Sequence, residues 1–291
     1  MTEARIKIAK ADIIKVFKEQ GSSIFKKTDI DRILEENRAF WRLRRGMRVD
    51  EFLAFLQEKT NLRKVSFDFP NRKIIRYVWG QVSLHELLMS LQSGCYFSHY
   101  SAMYLHGLTE QVPKTVYVNQ EQTAKSRSEG AITQERIDVA MRRPARMSRN
   151  FVQHDNYRIY LLNGKNTGNL GVVEMDSPEG GRIHATDVER TLIDATVRPV
   201  YAGGPFEVLK AYRLARPKVS VNKLAATLRK LDYIYPYHQA VGFYLEKTGV
   251  FKESSIALLR KFDFRYDFYL THQIKEKAYS ERWRLYFPKG M

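Results

Sequence analysis

Two acidic residues in the second half of the sequence have the spacing of a paired-carboxylate site. Glu174 and Asp176 flank Met175 in an apolar run of strand-forming residues. Because alternate residues of a β-strand point to the same face of a sheet, the two carboxylates would lie side by side. Such pairs can hold Mg²⁺. One hypothesis is therefore a metal-dependent enzyme that processes nucleic acids with Glu174 and Asp176.

The surroundings of this pair do not complete an active site. We find no Gly-Ser element of the nucleotidyltransferase kind leading into it, and no acid and lysine placed as in the restriction-type nucleases. The sequence also lacks a Walker phosphate loop and a dinucleotide-binding fingerprint. The simpler interpretation is a solvated strand end beside Pro178. We therefore expect no catalysis, no cofactor and no metal.

Histidine and cysteine offer little further chemistry. Cys95 is the single cysteine, which excludes a disulfide within the chain and a cysteine-based zinc site. His99 and His106 are seven residues apart in one predicted helix, whereas a zinc-binding pair on a helix is usually four apart. We expect both to be buried, hydrogen-bonded residues. Asp194 is expected to form structural ion pairs with nearby arginines.

The charge of the chain favours a polyanionic partner. Its 291 residues carry a formal net charge of +17, with a pI of about 9.8. Residues 1–80 hold 19 Lys and Arg against 11 Asp and Glu, a net of +8. Nucleic acid is the leading candidate and an anionic membrane the second. Because no signal peptide or apolar span is evident, we expect a cytoplasmic bacterial protein without a membrane partner.

The first part of the chain has the element order of a DNA-binding domain. Apolar spacing predicts helices over residues 9–20, after Thr28 as an N-cap, and over 49–59. Alternating residues then predict strands over 62–69 and 74–79. Three helices followed by a two-stranded hairpin is the order of a winged helix-turn-helix domain, in which the hairpin is the wing and the third helix enters the major groove.

Basic residues in this part are the predicted phosphate contacts, and polar residues at the end of the third helix are the predicted base contacts. The phosphate contacts are Lys26, Lys27, Arg38, Arg42, Arg44, Arg45 and Arg48, with Arg72, Lys73 and Arg76 in the wing. The base contacts are Gln57, Lys59 and Arg63. A second basic cluster is expected to extend the contact along the duplex; it comprises Lys125, Arg127, Arg142, Arg143 and Arg146. Three acids on the third helix oppose this assignment, namely Asp50, Glu51 and Glu58.

The rest of the chain is predicted to be a larger mixed α+β domain, so that the division is 1–82 and 83–291. Helices are expected over 84–92, 99–106, 132–142, 187–196, a segment from Pro205, 221–231 and 237–247. Four of them have a predicted N-cap, at Ser83, Ser98, Thr186 and Ser220. Expected strands are 115–118, 157–163, 170–175 and 262–270, with the second and third joined as a hairpin.

Two stretches of this second part resemble a known family. They are SHYSAMYLHGLTEQVPKTVYV (98–118) and HATDVERTLIDATVRPVYAGGPFEVLKAY (184–212). Both are similar to the AbiEi-type antitoxins of type IV toxin–antitoxin and phage abortive-infection systems, and the similarity extends over about residues 80–250. The matching residues are Ser98, Ala102, His106, Gly107 and Leu108 in the first stretch, and Arg190, Thr191, Leu192, Ile193 and Asp194 in the second.

The resemblance implies a function as well as a domain order. In that family a winged-helix domain precedes an antitoxin domain, and the protein represses transcription from its own operator. It also neutralises a cognate nucleotidyltransferase-like toxin encoded beside it, directly or indirectly. The present sequence departs from the pattern before the wing, where it is longer, and in its acidic third helix. We transfer no antitoxin residue from the family. We expect replacement of Arg44 and Arg45 by alanine to weaken DNA binding.

Overall fold

The chain divides into two compact units with mixed α and β structure. A computed structural model describes residues 2–124 and 132–291. The first unit comprises Met1–Ser93 with Glu179–Gly181, and the second comprises Gly94–Pro178 with Arg182–Met291. The predicted α+β class is thus confirmed. The predicted division at residue 82 falls one helix too early, because the helix at Leu84–Met89 belongs to the first unit.

The first unit contains five helices and three strands within its described residues. In chain order they are α1 (Thr2–Ile8), α2 (Lys10–Glu19), β1 (Ile24–Phe25), α3 (Lys27–Asn37), α4 (Val49–Lys59), β2 (Leu62–Phe69), β3 (Arg72–Trp79) and α5 (Leu84–Met89). Helix α4 has the predicted bounds. Thr28, the predicted cap of α3, lies inside that helix, because Asp29 accepts a hydrogen bond from the backbone N–H of Lys26 (2.7 Å) and the helix begins earlier.

The three strands form one antiparallel sheet in the order β1-β3-β2. Strands β2 and β3 pair along their whole length, from Leu62 opposite Trp79 to Phe69 opposite Arg72, as the alternation predicts. The core lies between this sheet and the helices. The Phe17 ring of α2 stacks on Trp79 with ring centroids 4.7 Å apart, and it also packs against Phe25 and Phe52.

The second unit places helices around two further sheets. Its elements are β4 (Tyr96–Phe97), α6 (His99–Leu105), β5 (Thr115–Glu121), α7 (Gln134–Arg142), β6 (Phe151–His154), β7 (Tyr157–Gly164), β8 (Val172–Asp176), β9 (Arg182–Thr186), α8 (Val188–Val197), α9 (Pro205–Ala215), α10 (Val221–Leu231), α11 (Tyr237–Lys247), α12 (Glu253–Ile256), β10 (Phe268–Tyr269), β11 (Lys277–Ser280) and β12 (Leu285–Pro288). The larger sheet has the order β6-β7-β5-β4-β9-β8, and the smaller has the order β10-β12-β11.

The predicted hairpin between β7 and β8 is wrong, since the two strands lie far apart in the larger sheet. Strand β7 pairs with β6 and, in parallel, with β5 over seven residue pairs, whereas β8 pairs with β9. The loop between β7 and β8 is tied down elsewhere. The Glu121 carboxylate accepts the backbone N–H of Thr167 (2.7 Å) and of Asn169 (3.2 Å). Turn-forming residues therefore make a structured loop here and not a hairpin turn.

Two predicted caps need correction. Ser98 occupies the N-cap position of α6, but its hydroxyl lies 2.8 Å from His99 Nδ1 and caps no backbone N–H. Helix α8 is capped by Asp187, whose carboxylate accepts the Arg190 N–H (2.7 Å), and not by Thr186. The caps predicted at Ser83 and Ser220 are confirmed.

Buried α8 is the central helix of the second unit. Every residue from Glu189 to Thr196 is buried, and the helices α6, α9, α10 and α11 pack around it. The predicted strand over 262–270 is reduced to the two residues of β10. Within the described ranges, no helix combines the length and the apolar composition needed to cross a membrane.

Candidate nucleic-acid interface

The loop between α3 and α4 fixes the basic residues of the first unit by an alternation of buried and exposed side chains. Trp41, Leu43 and Met47 are buried, and the Trp41 ring stacks on Phe52 of α4 at 5.7 Å. Burial of three large apolar side chains in eleven residues holds the loop against the core. The arginines between these anchors consequently point to solvent.

Arg38 supports this loop from inside and is not a phosphate contact. Its guanidinium donates to the carbonyl oxygens of Arg44 (2.8 Å) and Met47 (3.0 Å) and forms an ion pair with Glu35. Only 13% of its side chain is exposed. The assignment of Arg38 to a phosphate is therefore corrected, because its donors are used to close the loop.

Three arginines of the loop are exposed and form no polar side-chain contact with the part of the chain that the structure describes. They are Arg42, Arg45 and Arg48. Arg42 has a left-handed backbone, with φ of 53°, and Arg48 is the residue immediately before α4. Lys26, before α3, is also exposed. These cations retain their full capacity to bind an anion.

The acids of α4 are neutralised within the unit. Asp50 lies 2.5 Å from Lys27 Nζ, Glu51 pairs with Arg44, and Glu58 Oε1 lies 2.5 Å from Lys59 Nζ. The ion pair between Arg44 and Glu51 could not be predicted from the sequence, because the two residues are seven positions apart and belong to different elements. Lys27, Arg44 and Lys59 are therefore internal counter-charges in this structure, and the acids are a smaller obstacle to a polyanion than their number suggests.

Three basic residues of the hairpin are predicted phosphate contacts, and the structure engages two of them in other interactions. Arg72 is exposed, while Lys73 Nζ lies 2.9 Å from Asp68 Oδ1. Arg76 is only 7% exposed and donates to the carbonyl oxygens of Ser90 and Leu91. The assignment of Arg76 to a phosphate is therefore corrected. Its guanidinium ties the hairpin to the segment after α5.

Gln57 and Arg63, two of the predicted base contacts, lie close together in the structure. Both are exposed and line one shallow depression at the C-terminal end of α4. Arg63 donates to the carbonyl oxygen of Gly80 (3.0 Å), which holds its side chain across the open end of the hairpin. Lys59 does not line this depression among the described residues.

The second basic cluster belongs to the second unit. Lys125 and Arg127 lie outside the described residues. Arg142 and Arg143 are exposed at the C-terminal end of α7. Arg146 is exposed beyond them, at the rim of a cavity in the second unit. Contact of this cluster with DNA stays a prediction.

The carboxylate pair is already paired with an arginine. Glu174 and Asp176 are exposed on β8, and their oxygens lie 3.0 and 3.7 Å from the Arg182 guanidinium. In the described ranges, no group of three His, Cys, Asp or Glu residues is placed to hold a metal ion. The geometry gives the metal-enzyme hypothesis no support.

His99 begins α6 and His106 directly follows it, and the two side chains have separate hydrogen-bond partners. His106 Nε2 lies 2.6 Å from the carbonyl oxygen of Thr186 in β9. His99 lies against Ser98, and burial lowers the pKa of its imidazole to about 4, so the ring is neutral at pH 7. Its backbone is left-handed, with φ of 51°, a conformation that histidine adopts more often than most residues other than glycine.

Comparisons with known proteins inform the fold alone. No family model matches the sequence. No curated protein matches it either. Among solved structures, the chain is similar to the RV2827C protein from Mycobacterium tuberculosis, with a TM-score of 0.57 and 14% sequence identity. The similarity covers 94% of this chain and 89% of that one. The arrangement of elements in both units therefore has a counterpart in a known structure.

Proposed function

We propose that this protein binds double-stranded DNA through its first unit as a winged helix-turn-helix regulator of its own operator. The observation that carries the proposal is the anchored loop before α4, which presents Arg42, Arg45 and Arg48 to solvent. The order α2-β1-α3-α4-β2-β3 and the antiparallel hairpin support it, because both are features of winged-helix domains. Phosphate contacts by the loop would position α4, whose Gln57 and the nearby Arg63 reach for bases.

Replacement of Arg42, Arg45 and Arg48 together by alanine tests the proposal. Three lost phosphate contacts reduce the slope of log K against log salt by about 2.7, and at about 0.1 M salt they weaken binding by roughly a hundredfold or more. The apolar anchors stay in place, so the fold is expected to persist. The measurement is a titration of promoter DNA from the protein's own locus, repeated at several salt concentrations.

Two variants sharpen this test. Arg32→Ala is the matched control, since Arg32 is an exposed arginine of α3 that pairs with Glu36 (3.2 Å). The affinity of this variant for DNA, and the slope of that affinity against salt, should stay close to those of the wild type. The Arg44→Ala variant should lose less than Arg45→Ala, because Arg44 is engaged by Glu51. An unchanged salt slope in the triple variant would refute the DNA-binding assignment.

We infer in addition that the protein acts as the antitoxin of a nucleotidyltransferase-like toxin. The support is the resemblance of residues 98–118 and 184–212 to the AbiEi-type antitoxins. In the structure, the first stretch forms α6 and the first part of β5, and the second leads through the buried α8 into α9. Most of these matching residues are buried in the second unit, so they account for its fold and do not define a toxin contact.

Co-expression with the neighbouring gene tests the antitoxin role. We expect growth arrest when that gene is expressed alone, and normal growth when this chain is expressed with it. The triple arginine variant should still protect the cells, because the altered residues lie in the first unit. A neighbouring product that does not arrest growth, or an arrest that this chain does not relieve, would contradict the assignment. Co-purification of the two proteins then separates direct from indirect neutralisation.

A further inference from the structure

A cavity of about 460 Å³ opens in the second unit, at the carboxyl ends of the parallel strands β5 and β7. Asn119, Asn163 and Gly164 line it from the strands, and α8 lines another side with Arg190 and Asp194. Pockets of this size hold drug-sized ligands, and the carboxyl ends of parallel strands are a common place for them. DNA binding by the first unit does not require such a cavity.

The cavity is strongly basic. The described residues that line it include four basic side chains, and Asp194 is the one carboxylate among them. Asp194 is already engaged by Arg190, at 2.8 Å. Arg146 and Arg198 have no carboxylate within ion-pair distance in the described part of the chain. Their guanidinium groups therefore offer uncompensated positive charge at the mouth of the cavity, and guanidinium matches phosphate geometry well.

The segment that carries Arg146 is held in place from two sides. The Arg198 guanidinium donates to the carbonyl oxygen of Arg146 (3.1 Å). The backbone N–H of Ser148 donates to the Tyr201 hydroxyl (2.6 Å). The Arg146 side chain itself is exposed and forms no polar contact with the residues that the structure describes. The fold thus orders the backbone at this point and leaves the charged group available.

Aromatic rings and amides complete the lining. Tyr201, Tyr233 and His99 border the cavity, and the Tyr201 and His99 rings meet edge to face at 5.4 Å. His99 is neutral and is held in a left-handed backbone conformation. Rings and amides together offer apolar contact and hydrogen-bonding groups to a planar heterocycle.

We propose that this cavity binds a free nucleotide, with its phosphate at Arg146 and Arg198 and its base among Tyr201, Tyr233 and the nearby amides. The cationic groups at the rim match the phosphate of such a ligand, and the rings farther inside match its base. Inorganic phosphate would use the cations alone, and a nucleoside would use the rings alone. Each of these therefore binds more weakly than the nucleotide.

Calorimetric titration of the full chain with the four ribonucleoside triphosphates and monophosphates tests the proposal, at about 0.15 M salt to suppress non-specific attraction. At least one nucleotide should bind more tightly than about 1 mM. Arg146→Ala should weaken it by about tenfold, and the Arg146→Ala, Arg198→Ala double variant by more. Arg213→Ala, an exposed arginine of α9 outside this cavity, is the matched control and should bind as the wild type does.

Several outcomes would overturn the proposal. One is the absence of binding by all eight nucleotides at about 1 mM. Another is an equal loss in the Arg146 and Arg213 variants, which would indicate general attraction to a basic surface. Inorganic phosphate that binds as tightly as the nucleotides would remove the role of the rings. A short 5′-phosphorylated oligonucleotide that binds far more tightly through Arg146 would assign the cavity to a nucleic-acid end. The Arg45→Ala variant keeps this result separate from DNA binding by the first unit and should bind nucleotides normally.

Discussion

Replacement of Arg190 by methionine should destabilise the second unit by about 3–5 kcal/mol. The Arg190 Nε lies 2.8 Å from Asp194 Oδ1, and both side chains are less than 10% exposed, at 6% and 8%. Arg190 Nη1 also donates to the carbonyl oxygen of Leu170 (2.6 Å) and to Thr167 Oγ1 (3.2 Å). Burial acts to lower the pKa of Arg190, but the Asp194 carboxylate outweighs it and leaves the pKa above its usual value. Methionine would leave that carboxylate buried without a partner.

Urea unfolding followed by far-UV circular dichroism measures this loss. The double variant Arg190→Met, Asp194→Leu should recover much of it, because an apolar pair can replace a buried ion pair at little cost. Arg182→Ala is the control, since Arg182 is 70% exposed and its pairs with Glu174 and Asp176 are solvated. Exposed pairs contribute about 0–1 kcal/mol. Equal effects of Arg190→Met and Arg182→Ala would show that the buried pair does not stabilise the unit.

Replacement of Gly242 by alanine should destabilise the same unit by about 3 kcal/mol, although alanine is the better helix former by about 1 kcal/mol. Gly242 lies in the middle of α11 and is buried against Trp283. A Cβ at this position would overlap the indole ring atoms. Trp283 is fully buried, its Nε1 donates to Glu246, and its carbonyl oxygen accepts Gln239 Nε2 (2.8 Å). The ring therefore has no room to move away.

A double-mutant cycle checks the origin of this loss. Trp283→Leu alone should be destabilising, because it leaves a void in the core. In the Trp283→Leu background, Gly242→Ala should cost far less, since the added methyl group then meets a smaller side chain. Gly21→Ala is the control, because a Cβ there has no atom within 4 Å. Additive effects of the two core substitutions would contradict steric overlap as the cause.

Elements defined by local patterns could be predicted from the sequence, whereas strand partners could not. Val49, Phe52 and Leu56 have helical spacing, and they give the bounds of α4 correctly. The alternation across residues 62–79 gives the β2–β3 hairpin for the same reason. Pairing of β5 with β7, however, joins segments about forty residues apart, and no local pattern encodes it. Residues 163–171 look like a hairpin turn until Glu121 and Arg190 are brought to them by the fold.

The basic surface was predictable in composition but not in detail. Residues 38–48 are conspicuously rich in arginine, yet composition does not separate Arg38, which closes the loop, from Arg45, which faces solvent. The alternation of Trp41, Leu43 and Met47 with charged residues did indicate which side chains of this segment are buried. The burial of Arg76 was indicated in a similar way, because this residue lies between apolar neighbours in β3. The cavity near Arg146 depends on residues spread over more than a hundred positions, so spacing could not reveal it.

The order of the larger sheet bears on association between copies of the protein. Its two outer strands are short: β6 has four residues and β8 has five. Strand β8 presents Glu174 and Asp176, and in β6 the Phe151 ring is covered by the Arg158 guanidinium at 5.2 Å. Short edges with charged side chains are poor templates for a strand from another molecule. Addition of a strand from another molecule at either edge of this larger sheet is therefore disfavoured.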